Sequence, residues 1–177
     1  MVRIVIIHGL IAGLIIVSGI IATVVVGGDE PHGDVWLGYL IMLLGLSAVL
    51  LGVKQYRDQL GGGVIRFLPA LGVGLAIAAV ASLAYVAVWE AYLALTDYAF
   101  MDQYVAATLE ARRAEGVSGE AYRRLEAELR EMARQYQSPL FRLPMTFAEI
   151  FPVGLVVAVV SAGLLRNSRF LPARSRA

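Results

Sequence analysis

Residues 38–58, GYLIMLLGLSAVLLGVKQYRD, residues 59–66, QLGGGVIR, and residues 67–93, FLPALGVGLAIAAVASLAYVAVWEAYL, decide the fold. They read as two apolar helices joined by a short basic turn. A helix rises 1.5 Å per residue, so about 20 apolar residues cover a hydrocarbon layer of roughly 30 Å. Both runs meet that length, and the natural unit is a transmembrane hairpin.

Composition agrees with this reading. The chain has 177 residues, of which 59% are hydrophobic and only 16% charged, with a mean hydropathy of +0.72. A soluble domain of this length has too little interior to hide so much apolar surface, whereas a bilayer removes the need to hide it. The net charge of +1 gives no reason to expect a nucleic-acid partner. Without cysteine there is no disulfide framework and no thiolate chemistry.

Working outward, residues 4–26 form another apolar run, interrupted only by His8. A cleaved signal peptide competes with a retained span here, but the run exceeds the usual h-region of about 7–15 residues and no small-x-small site follows. An acidic Gly- and Pro-rich turn, 27–34, leads to a second span over 35–53, and Arg66 precedes a third over 67–95. Residues 97–142 are charged and amphipathic. Tyr122, Leu125, Leu129, Met132 and Tyr136 share one helical face, Ser118 is placed to cap that helix, and residues 97–114 make a partner helix. Thr146 and Glu149 have capping-box spacing and predict the start of a fourth span over 146–165. The expected fold is all-α: four transmembrane helices with an amphipathic αα-hairpin between the third and fourth.

Arg3, Lys54, Arg57, Arg66, Arg166, Arg169, Arg174 and Arg176 fall on one side of this arrangement, and Asp29, Glu30 and Asp34 on the other. The positive-inside rule then places both termini in the cytoplasm and the αα-hairpin outside. Small residues line each span: Gly9 and Gly13; Gly38, Gly45, Ala48 and Gly52; Gly74, Ala78 and Ser82; Gly154, Ala158 and Ala162. Such stripes allow helices to pack closely in lipid and predict a compact bundle, with homo-oligomers as the other use.

The stretches 38–67, 82–92 (SLAYVAVWEAY), 98–105 (YAFMDQYV) and 146–174 (TFAEIFPVGLVVAVVSAGLLRNSRFLPAR) resemble the four-helix bacterial membrane proteins grouped as domain of unknown function 4199. The resemblance covers nearly the whole chain. It implies a bacterial inner-membrane protein of this topology, and it implies no activity and no residue roles.

Two clusters are candidate sites. At the outer end, Tyr85 and Trp89 share a face of the third span with Ser82 and Tyr92, and Glu90 lies beside it. With Glu149 at a similar level, Glu90 forms a paired-carboxylate candidate for a cation or proton, with His32 or Asp34 closing it. The competing reading is an aromatic interfacial belt, with Glu149 a helix cap and Glu90 hydrated. At the inner end, Lys54, Tyr56, Arg57 and Arg66, with Asp58 and the nearby His8, form a candidate pocket for an anionic lipid headgroup. The competing reading is topology-setting charge on snorkelling stems. No metal or cofactor motif is expected.

Three functions fit. The first is a non-catalytic accessory, assembly or envelope-organising subunit with a lipid-facing basic loop and a protein partner on the 97–142 hairpin. The second is a small transporter or channel using Glu90 and Glu149. The third is a membrane enzyme with those carboxylates as acid and base. The span centres are Val, Ile, Leu, Ala and Gly, with Ser47 and Ser82 as the few polar positions, which disfavours transport through the midplane.

Overall fold

The computed structural model describes residues 1–26 and 35–173. Among these there are six helices and no strand: α1 Val2–Val26, α2 Val35–Leu60, α3 Phe67–Leu95, α4 Phe100–Ala114, α5 Gly119–Tyr136 and α6 Pro139–Leu165. Four stretches are long and apolar enough to cross a membrane: Val2–Thr23, Trp36–Leu60, Phe67–Leu95 and Pro139–Leu165. Their outward faces carry large apolar side chains such as Leu14, Leu40, Leu43, Leu83, Val156 and Val160. An apolar surface of that extent calls for lipid around it.

The interior is built on small residues. A Cβ placed on Gly13 would lie 2.7 Å from the carbonyl oxygen of Ala81, and one on Gly74 would lie 2.9 Å from the Cβ of Ala158. Gly154 faces Ala78 in the same way, at 2.8 Å. These contacts also fix direction. Gly9 meets Ile77 and Val80 while Gly13 meets Ala81 and Ala84, so α1 and α3 run parallel. Gly74 opposite Ala158 and Ala78 opposite Gly154 make α3 and α6 antiparallel, and Gly45 against Ile16 with Gly52 against His8 make α1 and α2 antiparallel. The beginnings of α1 and α3 and the ends of α2 and α6 therefore lie at one end of the bundle.

At the other end α4 and α5 pack on each other and on the end of α3, through Trp89, Leu93, Met101, Val105, Leu109, Leu129 and Tyr136. The chain reverses from α3 into α4 on two successive left-handed residues, Asp97 at φ 51° and Tyr98 at φ 55°, with the Tyr98 amide donating to the Leu93 carbonyl at 2.8 Å. For residues other than glycine each costs of order 1–3 kcal/mol, so the surrounding contacts must over-determine the turn.

Three boundaries differ from the sequence reading. The last span starts at Pro139, not near residue 146. Ser138 is extended, Pro139 occupies the first turn, and Thr146 and Glu149 lie inside the helix, so no capping box forms. The second span continues to Leu60 instead of ending near 53, because Lys54 and Asp58 pair across one turn at 2.5 Å and keep the charged segment helical. The first amphipathic helix begins at Phe100, beyond the left-handed pair, which leaves Tyr98 half exposed ahead of it. Ser118 does take the capping position of α5 but makes no side-chain capping hydrogen bond.

Leucine at Gly74 is expected to cost about 1–3 kcal/mol of bundle stability, as over-packing does in other tightly packed cores. Leucine at Gly72, where an added Cβ meets nothing within 4 Å, is expected to change little. Comparing their unfolding midpoints in detergent micelles checks this, and equal losses at both positions would contradict the packing described.

Candidate functional site

The cap end of the bundle buries Tyr85, Trp89, Tyr136, Arg142 and Thr146 together. On α3, Tyr85 and Trp89 are 2% and 5% exposed. They lie in the seam between bundle and cap, not in a lipid-facing aromatic belt. The Trp89 ring stacks on Tyr92 at 5.3 Å between centroids and meets the edge of Phe100 at 5.1 Å. Its indole Nε1 donates to the hydroxyl of Tyr136 at 2.8 Å. Burial pushes the pKa of this phenol up, against the hydrogen bonds to Trp89 and to Thr146 on α6, which pull it down.

Arg142 is the centre of the seam. Its side chain is 4% exposed and its guanidinium forks onto Glu90, with Nε donating to Oε1 at 2.6 Å and Nη2 to Oε2 at 2.7 Å. Nη1 donates to the carbonyls of Tyr136 and Gln137 at 2.9 and 3.3 Å, the free acceptors at the end of α5. The cation also lies 5.0 Å from the centroid of the Tyr98 ring. One side chain thus ties together α3, the end of α5 and the start of α6. Beside it is a cavity of about 380 Å³ whose lining includes Asp97, Tyr98, Asp102, Tyr136 and Arg142.

Glu149 has a different neighbour. It accepts from the Tyr85 hydroxyl at 3.2 Å and lines a groove between α2 and α6. Glu90 and Glu149 share the cap end of the bundle, but each has its own partner and no hydrogen bond joins them. His32 and Asp34 lie outside the described residues. Among the described residues no group of His, Asp or Glu is placed to hold a metal ion.

At the opposite end Arg57 is fully buried. Its Nε donates to Asp58 Oδ1 at 2.8 Å, Nη1 to the Phe170 carbonyl at 2.9 Å and Nη2 to the Leu171 carbonyl at 2.5 Å. The segment after α6 is thereby fastened to the end of α2. With its donors answered inside the protein, Arg57 is not presented to a headgroup. Lys54 pairs with the second oxygen of Asp58, and Tyr56 packs against the core. Arg66 is exposed just before α3. His8 hydrogen-bonds through Nδ1 to the Ile4 carbonyl at 2.9 Å and packs against Gly52. A carbonyl only accepts, so Nδ1 carries a proton. No hydrogen bond or ion pair joins Arg66 or His8 to the Arg57 cluster among the described residues.

Arg142 and Tyr136 are the residues the sequence reading did not place at the outer site. A signal existed: Glu90 sits near the C-terminal end of an apolar helix, where an unanswered carboxylate is costly, and Arg142 is the basic residue nearest the same level on the adjoining span. Starting that span at 146 put Arg142 in the hairpin and hid the pairing.

A family described as "Protein of unknown function (DUF4199)" matches residues 7–167. No curated protein and no solved structure matches the chain.

Glu90→Gln is expected to destabilise the protein by about 3 kcal/mol, because it leaves a buried guanidinium short of its counter-charge. Adding Arg142→Gln should cost less than the sum of the two single changes, and a double-mutant cycle on detergent unfolding measures the difference. Arg57→Gln should release the segment after α6, seen as faster protease cleavage around residues 168–173 with the bundle intact.

Proposed function

Because this chain belongs to the DUF4199 family, whose description carries no activity, we propose its function from its geometry: a non-catalytic membrane subunit of accessory, assembly or envelope-organising kind, which holds a rigid two-helix cap at one face of the bilayer. The observation that supports this is the junction at Arg142. A cap on a flexible linker would need no buried guanidinium reaching both Glu90 on α3 and the carbonyls that end α5. Held this way, α4 and α5 form a fixed platform. The exposed side of α5 carries Glu120 paired with Arg123 and Arg124, and Glu126 paired with Arg130, three or four residues apart. Such a mixed-charge surface suits a specific protein partner, for which it supplies register and selectivity more than affinity.

The opposite end gathers Arg3, Lys54, Arg66, Arg166 and Arg169. The positive-inside rule supports a cytoplasmic location for it and for both termini, with the cap outside a bacterial inner membrane. The exposed members of this group, without Arg57, are suited to contact anionic headgroups. Transport and paired-carboxylate catalysis draw less support. Glu90 is committed to Arg142, and the buried interior of the spans is closed by Leu46, Val49, Ile77 and Ala158.

Photo-crosslinking amino acids at Arg123 and Arg130 are expected to give a discrete protein adduct in native membranes, while one at Leu83 gives only lipid adducts. Replacing residues 100–136 by a flexible linker should abolish the protein adduct. Identical adduct patterns at all three positions would refute the docking role. Reporter tags at Met1 and Ala177 should appear on the same face of the membrane, and tags on opposite faces would refute the topology.

A further inference from the structure

Between α2 and α6 the bundle leaves an open lateral groove of about 490 Å³, lined by Gly38, Tyr39 and Met42 on one side and by Glu149, Pro152 and Val153 on the other. A carboxylate on such a wall needs an answer. Glu149 accepts one hydrogen bond, from the buried Tyr85 hydroxyl, and no other hydrogen bond or ion pair reaches it among the described residues. Glu90, near the same end of the bundle, already has its arginine. Gly38 keeps the groove clear. A Cβ there would meet nothing within 4 Å, whereas at Gly45 and Gly52 on the same helix it would meet Ile16 and Ile77, each at 2.5 Å. The small-residue stripe of α2 is therefore filled by neighbours deeper in the bundle and unfilled beside Glu149.

The level of the groove indicates what enters it. Glu149 lies about 24 Å along α6 from Leu165. In a hydrocarbon layer roughly 30 Å thick, this is close to the boundary where lipid headgroups begin. The site offers the Glu149 carboxylate at that boundary, with the Tyr39 phenol as the other polar side chain of its lining and apolar walls leading from it into the hydrocarbon. A primary ammonium brings three donors and a positive charge. A quaternary ammonium has the charge without the donors, and an anionic headgroup is repelled.

We propose that the α2–α6 groove binds a phospholipid with a primary-ammonium headgroup of the ethanolamine type. Glu149 is its counter-ion, Tyr85 holds the carboxylate, and an acyl chain lies over Pro152 and Val153. This requires the bundle to sit in a bilayer but does not require the cap to dock a partner, so the two ideas fail separately.

The test uses the full chain, purified and stripped of lipid, then equilibrated with mixed micelles of phosphatidylethanolamine, phosphatidylcholine and phosphatidylglycerol. Native mass spectrometry counts the lipid retained. At least a five-fold preference for phosphatidylethanolamine over either competitor is expected. Glu149→Gln, which keeps an acceptor for Tyr85, should reduce retention to the phosphatidylcholine level. Gly38→Phe, which fills the groove while leaving the carboxylate in place, should do the same, and it carries the comparison if the Glu149 variant does not fold. Equal retention of the three lipids, or a preference unchanged in the folded variants, overturns the proposal. Displacement by free ethanolamine at matched concentration overturns it in favour of a soluble amine.

Discussion

The close approach of α3 and α6 sets the rest of the structure. Gly74 lies against Ala158 and Gly154 against Ala78, so two helix backbones come together at distances that larger side chains forbid. In lipid there is little hydrophobic force between helices, and such contacts supply the attraction through dispersion. They also lock an antiparallel register. Carried toward the cap, that register brings Tyr85 to Glu149 and Glu90 to Arg142. Rotating either helix by one position would move every one of these side chains off its partner.

The two buried arginines solve one problem at opposite ends. Each meets a carboxylate and two backbone carbonyls: Arg57 at Phe170 and Leu171, Arg142 at Tyr136 and Gln137. A planar fork with five donors can answer such a set at once, and a lysine ammonium cannot match its geometry. Buried ion pairs seldom beat apolar replacements in stability. Their contribution here is to specify which distant segment lies against which helix. The two glutamates show the complement of this. Among the described residues Glu90 is answered by a cation and Glu149 by a phenol alone, and that asymmetry is what gives the lateral groove its chemical character.

Some of the site was readable before the fold, and the failures are specific. Tyr85, Trp89 and Glu90 stood out by spacing, but an aromatic face at the end of a span fits a lipid interface as well as a buried seam. Only the packing of α4 and α5 over Trp89 and Leu93 separates the two. Arg57 looked like a headgroup ligand because its burial depends on carbonyls more than 100 positions away in the chain. The start of α6 was displaced because Thr146 and Glu149 imitate a capping box, while the operative signals were Ser138 in extended geometry and proline in the first turn.

The sequence by itself determined the all-helical class, the four apolar stretches and the amphipathic insert. These are local properties: run length, hydropathy and the 3.6-residue period are present in each segment before any two segments meet. The tertiary structure decided which charges are answered and which face outward, since a carboxylate finds an arginine or a phenol according to the register of helices remote in the chain.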